Sequence, residues 1–167
     1  MLSVQPLSLK GQALRLLSGR EYSRAELERK LKAKEEEPGE LARALDELTA
    51  KGFISEQRVI ESVINRRSAK LGTARIRQEL QSKGLDRDAV IEAVATLQTT
   101  ELERAREVWR RKFDSKSNAT QPTPAERTKQ MRFLATRGFG AEVIRRVVSG
   151  TKYVDDMGHL PSYHELT

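Results

Sequence analysis

The 167 residues are 37% apolar, 33% charged and only 5% aromatic, enough for one ordinary domain or a short array of small units with a core of Leu, Ile and Val. No cysteine and no run of roughly eighteen apolar residues occurs, which excludes disulfides, thiolate metal sites, cysteine nucleophiles and a membrane-spanning helix together. The net charge of +7 is uneven: residues 1–64 hold 11 basic and 11 acidic side chains, 65–150 hold 19 and 10, and 151–167 carry one Lys against Asp155, Asp156 and Glu165.

The apolar spacing is helical from the start. Residues 1–8 form a leader without the features of a secretory signal, so a cytoplasmic protein is expected. Leu9, Ala13, Leu16 and Leu17 then form one stripe that ends at Gly19. Ser23 and Glu26 have capping-box spacing and open a helix with Leu27 and Leu31 on one face. Pro38 is expected in the first turn of the next helix, which carries Leu41, Leu45 and Leu48 and stops at Lys51-Gly52.

Ser55 begins a second round with Val59, Ile60, Val63 and Ile64, closed by Lys70-Leu71-Gly72. Thr73 starts a helix with Ile76 and Leu80 that ends at Lys83-Gly84-Leu85, and Asp86 caps another whose Val90, Ile91, Val94 and Leu97 are expected inward. Thr100 and Glu103 open a third round with Val108, Trp109 and Phe113, followed by a polar loop over 114–122. Thr123, Pro124 and Glu126 supply cap, first-turn proline and box carboxylate for a helix with Leu134 on its apolar face. It closes at Arg137-Gly138-Phe139, and a short last helix turns Val143, Ile144, Val147 and Val148 inward.

Strand and hairpin signals are nearly absent, so the fold class is all-α. The rounds predict three tandem three-helix repeats, over 9–54, 55–99 and 100–150, followed by the tail 151–167. Three short helices bury little by themselves, so the repeats are expected to stack into an elongated, curved array.

Catalytic patterns do not assemble. Gly138-Phe139-Gly140 follows a helix and reads as a helix end, and Lys70-Leu71-Gly72-Thr73 has the wrong order for a phosphate loop. His159 and His164 lie near Asp155, Asp156 and Glu165, but only Asp155 and His159 have helical ligand spacing. The expectation is no enzyme, no metal and no cofactor.

The concentrated signal is basic: Arg66, Arg67, Lys70, Arg75, Arg77 and Lys83, continued by Arg132 and Arg137. Such a cluster suits phosphates or acidic side chains through bidentate contacts. A solvated helical face with internal pairs, such as Arg75 with Glu79, is the plainer alternative.

The segment from Ala13 to Ser23, with Glu26-Leu27 and Lys30-Leu31, resembles the opening of the RecX regulatory proteins. Lys51-Gly52-Phe53-Ile54, Arg58, Arg67, Lys70-Leu71-Gly72, Arg75 to Leu80 and Lys83-Gly84-Leu85 resemble the family's centre, and Arg132-Phe133-Leu134 with Arg137-Gly138-Phe139 its third repeat. Val59 and Ile60 stand where many members have an aromatic residue, and 151–167 has no counterpart.

The resemblance implies a monomeric, non-catalytic modulator of the RecA recombinase that binds RecA protein and the RecA–single-stranded DNA filament. Such a protein would oppose filament growth, ATP hydrolysis, strand exchange and co-protease activity, with weak non-specific DNA binding besides. Gly72, Ile76, Leu80, Gly84 and Gly138 would then be structural, and the basic residues named above the contacts. A basic helical DNA-binding protein acting without RecA is the alternative.

Overall fold

The computed structural model describes residues 7–113 and 122–150. Among them are the helices α1 (Leu9–Leu17), α2 (Arg24–Leu31), α3 (Glu40–Ala50), α4 (Glu56–Arg67), α5 (Thr73–Ser82), α6 (Arg87–Thr99), α7 (Glu101–Phe113), α8 (Pro124–Thr136) and α9 (Ala141–Ser149), with a 3-10 turn at Lys32–Lys34 and no strand. The chain divides into two compact units. Of the described residues, the first comprises 7–67 and 76–96, the second 68–75, 97–113 and 122–150.

In the first unit α1, α2 and α3 pack pairwise. Leu9, Ala13, Leu27, Leu31, Leu41, Leu45, Leu48 and Ile54 form their core, bordered by Leu14, Leu16, Leu17 and Tyr22. The Ser23 capping box is present: its hydroxyl accepts from Glu26 N–H while the Glu26 carboxylate accepts from Ser23 N–H. Helix α3 begins two residues later than Pro38 suggests. Gly39 adopts φ +86°, and the Glu35 carboxylate accepts from Gly39 and Leu41 N–H at 3.0 and 3.2 Å, so a side chain from the preceding turn sets the start. Ile91 also departs from expectation at 56% exposed, while Val90, Val94 and Leu97 are buried. Burial follows the i, i+4, i+7 row, and Ile91 lies one residue around the helix from it.

In the second unit α7, α8 and α9 surround Ala105, Val108, Trp109, Leu134, Phe139, Ile144, Val147 and Val148. Thr123 and Glu126 form the expected capping box with Pro124 in the first turn. The α8 end is also as expected: Phe139 N–H donates to the Leu134 carbonyl, and the Phe139 ring folds back into the core.

Candidate functional site

In the first unit Arg66 and Arg67 stand on the last turn of α4, both exposed. The Glu79 carboxylate on α5 accepts from Arg67 Nε at 2.9 Å and lies 3.9 Å from Arg66. One carboxylate therefore serves two guanidiniums, leaving a cationic surplus. Arg77 is exposed and has no hydrogen bond or ion pair among the described residues.

Lys83 behaves differently from the expected contact residue. It is 8% exposed, and its ammonium donates to Glu26 Oε1 at 2.8 Å. Ser23 hydroxyl and Arg29 guanidinium donate to the Lys83 and Ser82 carbonyls, and a Cβ on Gly84 would stand 2.7 Å from that of Ala25. The end of α5 is thus docked on the start of α2. Burial disfavours the Glu26 charge, but Lys83, the Ser23 N–H and Arg20 outweigh it and hold its pKa at about 2. Lys83 fastens two helices together and is removed from the set of available cations.

The second unit repeats this joint with other residues. Gly72 N–H donates to the Arg137 carbonyl at 2.8 Å and Ala74 N–H to the Gly138 carbonyl at 3.2 Å, which docks the end of α8 on the start of α5. A Cβ on Gly72 would lie 2.3 Å from the Gly138 carbonyl, so the two backbones touch where no side chain fits. Gly138 has φ +82°, and its missing Cβ would lie 2.5 Å from Arg75 Cγ. The Arg75 stem therefore rests on the Gly138 backbone, and the residue is exposed. The Arg137 guanidinium stacks 3.6 Å above the Phe133 ring and donates to the Phe133 carbonyl. Lys70 and Arg132 are exposed. Lys70, Arg75 and Arg137 thus flank one backbone joint. Ile76 and Leu80 have no exposure and serve the core, as expected.

Two residues of this joint escape the basic and apolar patterns. Glu101, at 8% exposure, accepts from Thr73 N–H at 2.9 Å and caps α5 from another helix. Arg104 donates to the carbonyls of Ser68, Leu71 and Leu97 and to the hydroxyls of Thr73 and Thr100. Burial pushes its pKa down, partly offset by Glu101. Its sequence signal is faint: an Arg one turn after a cap residue resembles any surface pair.

The histidines and their neighbouring carboxylates lie outside the described residues, as does most of the polar loop. Among the described residues no helix is long and apolar enough to cross a membrane.

Three family profiles match in tandem: the first, second and third three-helix domains of RecX, over residues 10–48, 55–94 and 99–148. The chain belongs to the RecX family. A Regulatory protein RecX of Leptothrix cholodnii is 51% identical over 143 residues, 85% of this chain and 88% of that protein. Another, of Ralstonia nicotianae, is 44% identical over 94% of this chain and 96% of its own. The crystal structure of RecX from Lactobacillus salivarius shares the fold with a TM-score of 0.68 at 19% identity, covering 87% of this chain and 95% of that one. A second RecX regulatory protein structure gives the same score at 21% identity, over 84% and 71%. The fold is therefore that of tandem RecX three-helix domains, and the named relatives are regulatory proteins.

Proposed function

We propose that this RecX-family chain binds RecA protein and RecA–DNA filaments and opposes filament extension, thereby lowering ATP hydrolysis, strand exchange and co-protease activity. Family membership supports a regulatory role, and RecA as the target follows from the resemblance. The observation that carries the reading is the exposed cationic surplus: Arg66 and Arg67 share Glu79, while Lys70, Arg77 and Arg132 are also exposed, and Arg75 lies exposed beside them in sequence. A polyanionic or acidic assembly is the matching chemistry. These residues, with Arg137, are the proposed contacts. Gly72, Gly84 and Gly138 serve the helix joints. We infer three repeat domains with the boundaries given by the sequence and a monomer acting in the cytoplasm without a cofactor.

The test is RecA ATP hydrolysis on single-stranded DNA with and without this protein. Inhibition is expected, and the doubly reversed Arg75→Glu, Arg77→Glu chain should lose it while keeping its helicity. Titration against bare and RecA-coated single-stranded DNA identifies the partner. Equal binding to both with unchanged RecA activity would replace this reading with a DNA-binding protein acting alone.

A further inference from the structure

Among the described residues, three helices end in the same kind of turn. In each, a buried leucine is followed four positions later by a left-handed glycine and then by an apolar residue. These are Leu48, Gly52 and Phe53 after α3, Leu80, Gly84 and Leu85 after α5, and Leu134, Gly138 and Phe139 after α8. The residue after the glycine ordinarily packs back against the last helical turn. Phe139 does so at 5% exposure and Leu85 is partly buried, but Phe53 is 48% exposed. Its backbone turn is nevertheless complete: Gly52 N–H donates to the Thr49 carbonyl and Phe53 N–H to the Leu48 carbonyl, both at 2.9 Å. Ile54 takes the inward place instead and belongs to the core of the first three helices.

A single exposed apolar side chain is ordinary on a protein surface. This one sits on a braced backbone. Arg58, in the first turn of α4, donates from one terminal nitrogen to the Gly52 and Phe53 carbonyls at 2.9 and 3.0 Å. Its Nε donates to the Glu21 carboxylate at 2.9 Å, so the guanidinium is itself held in place. A Cβ on Gly52 would meet nothing within 4 Å, which leaves that side of the turn open to an approaching surface. An aromatic ring on a fixed backbone has only two side-chain torsions to lose when it is covered.

The neighbouring charge selects the kind of cover. Lys51 donates to Glu47 at 2.6 Å and Arg58 is paired with Glu21, while residues 1–64 sum to zero charge. A phosphate backbone gains little beside committed cations, whereas an apolar pocket gains the area of the ring. We propose that Phe53 is an aromatic anchor that enters an apolar pocket on the protein component of the RecA filament. The proposal rests on the reading of this chain as a RecA-filament regulator and adds to it a contact of different chemistry. The cationic residues draw the chain to a polyanion, and Phe53 adds burial that salt does not screen and that bare DNA does not supply.

Binding of the full chain to a labelled deoxythymidine oligonucleotide, bare and coated with RecA, tests this. Phe53→Ala should bind the coated strand about tenfold more weakly than the parent and the bare strand equally well, about tenfold being the scale of a truncated aromatic hot spot. That ratio should persist between about 0.1 and 0.3 M salt, while both absolute affinities fall. Its thermal melt should match the parent's, because Ile54 keeps the core place. Phe53→Trp should retain binding, and its emission, read against the Trp109 background of the parent, should shift to the blue on filaments and stay unchanged on bare DNA. Equal filament affinity of Phe53→Ala and the parent would overturn the anchor. So would an equal loss on bare DNA, which marks a stacked base, or a Phe53→Trp emission that filaments leave unmoved. A parent that inhibits RecA ATP hydrolysis beside an equally inhibitory Phe53→Ala sinks the anchor alone. A parent that neither binds the coated strand nor alters RecA sinks the proposed function and the anchor together.

Discussion

Replacing Gly72 by alanine probes the joint that seats Arg75. The new Cβ would stand 2.3 Å from the carbonyl carbon and oxygen of Gly138 and from the Phe139 nitrogen. These are backbone atoms in a helix-ending turn, so no side chain can rotate away. Relief requires the turn to withdraw by about 1 Å, at an overpacking cost of roughly 1–3 kcal/mol. That movement lengthens the Gly72 to Arg137 and Ala74 to Gly138 hydrogen bonds, each worth about 1 kcal/mol. Lower entropy of the unfolded chain returns about 0.4–1 kcal/mol. The net destabilisation is roughly 2–4 kcal/mol, or a fall in Tm of about 5–15 °C for a chain of this size. Thermal melts should follow helicity and Trp109 fluorescence together, because Trp109 belongs to the second unit's core. Amide exchange at positions 72 and 74 reports the joint directly. Gly150→Ala is the control, since its Cβ meets nothing within 4 Å. A Gly72→Ala chain within about 0.5 kcal/mol of the parent would refute the close-contact argument, that being the range expected of an uninvolved site.

Lys83→Met should cost about 2 kcal/mol, because Glu26 keeps only the half-exposed Arg20 as a cation, and RecA inhibition at a temperature where the variant is folded should be unchanged. Urea melts and ATPase assays check the two halves. Arg104→Lys should destabilise by about 2–3 kcal/mol, since one ammonium cannot replace a planar fork donating to five groups; urea melts followed by Trp109 fluorescence measure it. The Glu26 pKa of about 2 lies below its ordinary value, so its contribution is present above about pH 4.5 and drains away as pH falls toward 2. Glu26→Gln should flatten the stability profile across that window in acid titrations of urea midpoints.

Much of this molecule is written locally. A 3.6-residue apolar period admits only helices, and the paired signals Ser23 with Glu26 and Thr123 with Glu126 mark starts within one turn. The glycine after Lys83 and Arg137 marks two ends for the same local reason. Residue-type signals fail where one side-chain contact or the packing row decides instead. Glu35 reaches Gly39 and Leu41 and moves the start of α3 past Pro38, and the inward row of α6 passes beside Ile91.

The basic cluster was legible as a charge excess, yet its members have different roles. Lys83 and Arg77 look alike in a string of letters. Only folding brings Glu26, 57 positions away, against Lys83 and leaves Arg77 in solvent. Arg104 likewise looks like a surface cation until the carbonyls of Ser68 and Leu71 arrive from the α4–α5 connection. Composition and period determined the helices, most of their ends and the sign of the charge excess, because those depend on residue types and on neighbours within a turn. The tertiary structure decided which charges hold the chain together and which remain to meet something else, because a buried ion's fate depends on groups that sequence order does not place beside it.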